Sequence, residues 1–456
     1  MSRFESTINK QQQMLNSIKK LSLIILVISC QSFSQEANYK SLNQFLDILE
    51  DNSKLMATMT IAENDIEVFS KSVGYSNVSA KLKNSSETKF RIGSITKAFT
   101  AVMIFQLIDE GRITLETPLT LFFPRIPEAS KITIAHLLNH SSGLYNITND
   151  PKAVEWTLKR SSRGDMLERI MSYDLDFNPG EQTVYSNTNY MILGYIIEIL
   201  DKDIYMQALE RRISKKINLE NTYSGMIKNR LENESDSYLA ENESWEISSK
   251  TDMSNPGGAG VIVSSSSDLT KFMNALFNGE LISSSSLEAM KKTNNQEVCH
   301  GIFYANMNGT DIYASEGGID GFQSMLVNVP STKTTIALTS NGLGFSKMRI
   351  MLTALAASNG QSIVLPNFSR IELTEEQVKL YEGEYASDKV PYNLIFKAKG
   401  TILLGAPEQS NLKELTPTEQ HQFTFDNLSI VLDFYPETGL VRFTKESEDP
   451  ILFKKQ

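Results

Sequence analysis

Several residue types that usually advertise chemistry or covalent reinforcement are scarce in this chain. Its 456 residues include 2 cysteines, 4 histidines and 2 tryptophans. One cysteine, Cys30, lies in a leader-like segment, which leaves Cys299 as the only ordinary thiol and excludes an intramolecular disulfide. No Gly-x-Ser-x-Gly occurs, which argues against an α/β-hydrolase elbow. His-Glu-x-x-His is also missing, and His136 and His140, four residues apart, have no evident acidic third ligand. Neither a metal nor another cofactor is therefore expected. The apolar run from Leu21 to Ser29 falls short of the ~20 residues that cross a bilayer.

That run follows Lys19-Lys20, and residues 1–34 read as a secretory signal peptide, with Met14 as the start of a more compact leader. Two ends are open to it. Ser32-Phe33-Ser34 suits ordinary cleavage before Gln35, and Val27-Ile28-Ser29-Cys30 is similar to a relaxed lipobox that leaves a lipid-anchored Cys30. An exported protein, periplasmic or extracellular, is expected, with membrane contact only through that anchor. The first 34 residues contain four basic side chains and one acidic, leaving 40 basic against 53 acidic, a net of about -13. Such acidity argues against nucleic acid or an anionic membrane as partner. Glu232 to Asp236 and Glu241 to Ser244 read as solvated acidic loops.

What the chain does contain is Gly93-Ser94-Ile95-Thr96-Lys97 leading into the apolar helix Ala98 to Leu107. Residues three apart share a helical face, so the Lys97 amine can reach the Ser94 hydroxyl, and a helix N-terminus offers free N–H groups. That arrangement activates a hydroxyl as a nucleophile. The spacing alone is weak, since Ser-x-x-Lys recurs at Ser17, Ser86 and Ser410, and an isolated match is more simply a helix cap. Ser94 is set apart by the preceding glycine, by apolar residues at 99, 102, 103 and 107, and by partners downstream.

The first partner is Tyr185-Ser186-Asn187, which follows the turn at Pro179-Gly180 and precedes an apolar helix. A phenol and a carboxamide two residues apart in a loop can face one cleft, one handling protons and the other binding an amide. Tyr75 and Tyr304 begin the same Tyr-x-Asn spacing in strands and read as packing residues. The second partner is the small-residue run Ala314-Ser315-Glu316-Gly317-Gly318, which enters a strand and lets a substrate backbone approach its edge. Cys299-His300 reads as neighbours in a strand that point to opposite faces, with Cys299 a buried small residue.

From about residue 40 to 360 the chain resembles the penicillin-recognising serine hydrolases: class C β-lactamases, D-alanyl-D-alanine carboxypeptidases, D-aminopeptidases and related esterases. The resemblance rests on the order of those three motifs, on Leu137-Leu138-Asn139-His140-Ser141-Ser142-Gly143-Leu144, and on Gly260 to Leu269. It implies that Ser94 is acylated, that Lys97 and Tyr185 share general-base work, and that Asn187 binds the substrate amide. It also implies an oxyanion hole from the N–H groups of Ser94 and Gly318, with Gly317 and Gly318 beside the substrate. One position departs from the family. Its Lys or His falls on Ser315, which carries no charge, and Glu316 beside it repels anions. Esters and neutral amides are therefore favoured over substrates bearing a carboxylate.

The expected architecture is α/β in the α+β sense. Residues 36–362 form a β-lactamase/transpeptidase-like antiparallel sheet flanked by helices and a helical lobe. Hairpin strands at 55–61 and 66–74 return to strands at 302–308, 322–329 and 334–339. Helices are expected near 94–110, 133–139, 162–173, 188–201, 203–216 and 347–357, and after the serine runs at 264–267 and 283–286, where Ser285 and Glu288 have capping-box spacing. Residues 367–456 carry short strand-like runs that suggest a small antiparallel barrel or sandwich, similar to the lipocalin-like module attached to many family members. The functional expectation is an exported serine hydrolase acting on a peptide-like substrate such as a cell-wall fragment. A hydrolase of small esters or D-amino-acid amides, and a catalytically silent binding protein, are the alternatives.

Overall fold

The computed structural model describes residues 38–456 apart from 227–231, 242–243, 294–296, 308, 409, 426–429 and 446–449. The expected signal peptide, Met14 and Cys30 lie outside the described residues. Strand β1 (Leu55–Glu63) pairs on one side with β2 (Ile66–Val73) and on the other with a strand from the far end of the segment. Strands β3 (Phe303–Met307), β4 (Thr310–Ile319), β5 (Phe322–Val329) and β6 (Thr334–Leu343) complete one antiparallel sheet in the order β3-β4-β5-β6-β1-β2. The sheet is thus closed by sequence-distant ends, as the alternating and apolar runs predict. β1 is buried over eight of its nine residues, because side chains from both faces of a strand need cover when helices lie on both sides.

One face of the sheet carries α1 (residues 38–51), whose Leu42, Phe45, Leu46 and Leu49 form an i, i+3, i+4, i+7 stripe. Helix α5 (Lys347–Ser358) packs into the same core. Each such buried side chain contributes about 1.5–3 kcal/mol. The other face supports the helical lobe around α2 (Thr96–Asp109), α3 (Asn187–Asp201) and α4 (Ser266–Phe277). The sequence suggests a one-sided apolar stripe for α2, whereas every residue from Thr96 to Leu107 is buried. It runs through the middle of the lobe and meets neighbours on all sides.

Four local expectations are corrected. The helix after the second serine run starts at Ser284, and Ser283 is its cap, accepting the Ser286 N–H. The Ser285–Glu288 capping box is therefore not used. Cys299 and His300 lie in a loop rather than a strand; the Cys299 Sγ–H is directed at the Lys291 carbonyl and the His300 ring meets the Ala289 carbonyl. Acidic cluster 232–236 is built into the fold, with Ser235 buried, Glu234 accepting from Tyr223 and Asp236 from Asn77. At the second cluster Glu241 and Ser244 are exposed but paired strand residues of the hairpin Tyr238–Glu241 and Ser244–Ile247, not loop.

Between residues 358 and 375 there is neither helix nor strand. Eight strands from Gly383–Ala386 to Ile451–Lys455 then close a barrel. Six of them match the apolar runs in the sequence. Lys413–Glu419, which contains Pro417 at a register shift, and Ile451–Lys455 lack a clear apolar run, and residues 380–382 form a turn. Tyr381, Tyr385, Phe396, Phe423, Phe434 and Phe453 fill the interior with ring contacts such as Phe396–Phe434 at 5.0 Å. A barrel of this strand number is narrow enough for side chains to fill.

Candidate active site

Ser94 sits in a single 3-10 turn, Gly93–Ile95, directly ahead of α2. Gly93 has φ +51°, and a Cβ there would lie 2.7 Å from the Gly318 nitrogen. A Cβ on Gly317 would lie 1.9 Å from the Ile92 carbonyl oxygen. The two glycines therefore let β4 press against the turn, and this brings the Gly318 amide beside Ser94. Pairing of β4 with β3 ends at Ala314, so Ser315 to Ile319 keep one strand edge unpaired along the cleft.

The three motif residues converge. Lys97 Nζ lies 2.9 Å from Ser94 Oγ, and the Tyr185 hydroxyl donates to the same oxygen at 2.8 Å. Lys97 also meets Asn187 Oδ1 at 2.8 Å and the Ala259 carbonyl at 2.9 Å. Burial pushes the Lys97 amine well below its ordinary range, with no carboxylate pairing it among the described residues. In its neutral form the amine would donate two hydrogens, to Asn187 and Ala259, and keep a lone pair for the Ser94 proton. The Tyr185 phenol is pushed up to about 12, mainly by burial and further by the charge of Glu316, against the lowering effect of its bond to Ser94. It stays protonated at neutral pH.

Residues outside the expected set hold these groups in place. His140 lies with its ring 4.5 Å from that of Tyr185, and its Nδ1 accepts the Ser186 N–H at 3.1 Å. Burial pushes His140 down to about 3, which keeps it neutral. His136 is a capping residue, bonded to Thr133. Of the two histidines, only His140 touches the Tyr185 loop. Asn187 donates to Thr148 Oγ1 at 2.9 Å and its backbone to Asn146 Oδ1 at 3.1 Å, so its Oδ1 is aimed at Lys97. Ala259 carries no side-chain signal and could not have been found from sequence; its carbonyl is placed by the close approach of Gly258 to Gly194 on α3.

Ser315 is buried beside Ser94, Lys97, Tyr185 and Glu316, and Gly318, three residues further along the same strand, lines the neighbouring recess next to Ser94; Gly317 lies against Ile92. A cation does reach this side from another element: Lys347, the first residue of α5, pairs with Glu316 at 2.7 Å and donates to Gln323 Oε1 at 2.9 Å. Gln323 in turn faces Gly318 across the β4–β5 pair. Lys347 sits 31 residues past Glu316, and no spacing rule marks it.

The family model described as Beta-lactamase matches residues 47–360. The chain belongs to this family of serine hydrolases. A penicillin-binding protein of Bacillus subtilis (strain 168) is 25% identical over 331 residues, covering 66% of this chain and 71% of that protein. Among solved structures, a D-stereospecific amidohydrolase from Streptomyces sp. is 26% identical with a TM-score of 0.62, covering 72% of this chain and 99% of that one. The octameric penicillin-binding protein homologue from Pyrococcus abyssi gives a TM-score of 0.65 at 23% identity, covering 91% and 99%. That coverage extends past the catalytic segment, so the added C-terminal module is part of the shared fold.

Proposed function

We propose that this protein hydrolyses a peptide-like amide or an ester through an acyl-Ser94 intermediate. The observation that carries the reading is Ser94 Oγ held between a charge-depleted Lys97 amine at 2.9 Å and a protonated Tyr185 hydroxyl at 2.8 Å. Lys97 takes the Ser94 proton as Oγ attacks the carbonyl carbon, and the oxyanion that forms is met by the N–H groups of Ser94 and Gly318. On collapse the carbonyl–leaving-group bond breaks, and the departing nitrogen or oxygen takes a proton from the Tyr185 hydroxyl, which Lys97 replenishes. Water then attacks the acyl carbon, gives its proton to the same relay, and frees Ser94. Two such N–H donors commonly supply several kcal/mol of transition-state stabilisation.

Terminal amides and esters, D-amino-acid amides among them, are the substrates this cleft suits best. Ser315 brings no charge, and Lys347 is engaged by Glu316. The similarity to a D-stereospecific amidohydrolase supports the same choice. Carboxylate-bearing cell-wall peptides remain the second reading, supported by the resemblance to D-alanyl-D-alanine carboxypeptidases. Action outside the cytoplasm, free or anchored through Cys30, belongs to the proposal and is supported by Lys19-Lys20 and the apolar run after them.

The test is intact mass after incubation of wild type and Ser94→Ala with a fluorophosphonate. One adduct on wild type and none on the variant is expected. A folded wild type that takes no adduct would instead make the chain a silent binding protein.

A further inference from the structure

Ser94 divides its cleft into two unlike halves. Toward Tyr185 the walls carry Lys97, His140 and Glu316. On the other side lies a recess of about 230 Å³ lined by Thr148, Trp156, Met191, Pro256, Ala259 and Ile319 among others, with no charged side chain in its wall. The chemistry decides which half takes which part of the substrate. The group that protonates the leaving atom is Tyr185, so the leaving group departs on the Tyr185 side. The acyl group stays bonded to Ser94 and extends the opposite way, past Asn187 and Gly318 into the recess.

We propose that this recess is the acyl pocket, that it takes an uncharged apolar side chain about the size of a phenyl ring, and that Trp156 sets that limit. The inference rests on the hydrolase reading above and names the substrate class for it. Size supports the assignment: a cavity near 150 Å³ lined by apolar residues holds benzene, so about 230 Å³ admits a ring with one or two methylenes. Burying a charge against Trp156, Met191 and Pro256 without a counter-ion is costly, which excludes acidic and basic side chains.

The wall is rigidly built. The Asn255 side-chain amide donates to the carbonyls of Thr157 at 3.0 Å and Lys159 at 2.9 Å, tying the end of the short helix that carries Trp156, Ala153–Thr157, to the turn at 252–255. The Arg169 guanidinium stacks on the Trp156 indole at 4.5 Å. The amide fixes the backbone at its base and the guanidinium lies on its ring, and together they set the depth of the pocket.

The test compares kcat/KM for the 4-nitrophenyl esters of acetic, 3-phenylpropanoic and succinic acid in wild type, Trp156→Ala, Trp156→Phe and Thr157→Phe. Wild type is expected to prefer the phenylpropanoyl ester to the acetyl ester by about tenfold or more, and to the succinyl ester by a larger factor. Trp156→Ala and Thr157→Phe should each cut the phenylpropanoyl-to-acetyl ratio about tenfold, the first by removing a wall and the second by filling the space, with Trp156→Phe between. Fluorophosphonate labelling of each variant at Ser94 keeps the two claims apart. Labelled variants with an unchanged ratio, or a wild type that takes the succinyl ester as readily as the phenylpropanoyl ester, overturn the pocket alone; an unlabelled wild type overturns the pocket and the hydrolase reading together. Trp156→Ala removes one wall, and if it does not fold, Thr157→Phe, whose residue is partly exposed, decides between the same two outcomes.

Discussion

Around α2 the protein buries Lys97, His140, Asn189 and Asp268 among its apolar side chains, whereas the barrel interior is aromatic and buries, among the described residues, one polar side chain outside the aromatics, Thr418. The lobe also leaves buried polar atoms without partners, such as Trp156 Nε1 and Asn189 Nδ2. Each such group costs free energy that packing must offset. The barrel shows no such departures among the described residues, and its rings meet edge to face. Desolvated amines and hydroxyls thus gather around Ser94, whereas the barrel interior is filled uniformly with apolar side chains.

The sharpest way to separate the two regions is to damage the barrel core. Phe434 touches Tyr381, Tyr385, Phe396 and Phe423, and Phe434→Ala should destabilise the barrel by about 3–5 kcal/mol. Calorimetry should show the barrel transition falling while fluorophosphonate still labels Ser94. A loss of labelling in step with the barrel transition would mean that the two regions unfold as one unit.

Acid should act on the opposite region. His140 is held near 3 in the folded protein against an ordinary 6.5, and burial lowers His136 and His300 as well. Between those values the unfolded chain binds a proton that the folded chain refuses, so stability is full above about 6.5 and falls as pH drops toward 3. His140 alone contributes a slope of about 1.4 kcal/mol per pH unit in that window. The melting temperature of the catalytic transition should therefore fall between pH 6.5 and 4.5, and His140→Gln should flatten the fall.

The smallest effect tunes the site itself. The Tyr185 phenol is raised by burial and also by Glu316, so Glu316→Gln should bring it down and move the alkaline limb of kcat/KM to lower pH by less than one unit. The same change releases Lys347 and should improve carboxylate-bearing substrates relative to neutral ones. An alkaline limb that does not move would show that Tyr185 does not feel Glu316.

Much of the site and the sheet is legible in the residues alone. Ser94, Lys97, Tyr185 and Asn187 stand out because their chemistry depends on side chains at short spacings that a helix start or a loop converts directly into proximity. The returning sheet is legible because apolar alternation has a period that only strands satisfy. Pro417 and the short final strand hide two barrel strands, since propensity is a weak signal where the ladder itself decides the conformation.

By itself, then, the sequence determined which residues could react and which segments could be helix, strand or barrel, because these follow from side-chain identity and local periodicity. Only the tertiary structure decided that burial pushes the Lys97 amine down, that the His140 ring lies against Tyr185, and that the Ala259 carbonyl meets Lys97 and Lys347 meets Glu316. Those features come from burial and from contacts between residues tens to hundreds of positions apart. A local pattern carries no record of desolvation or of a backbone carbonyl brought in from another loop.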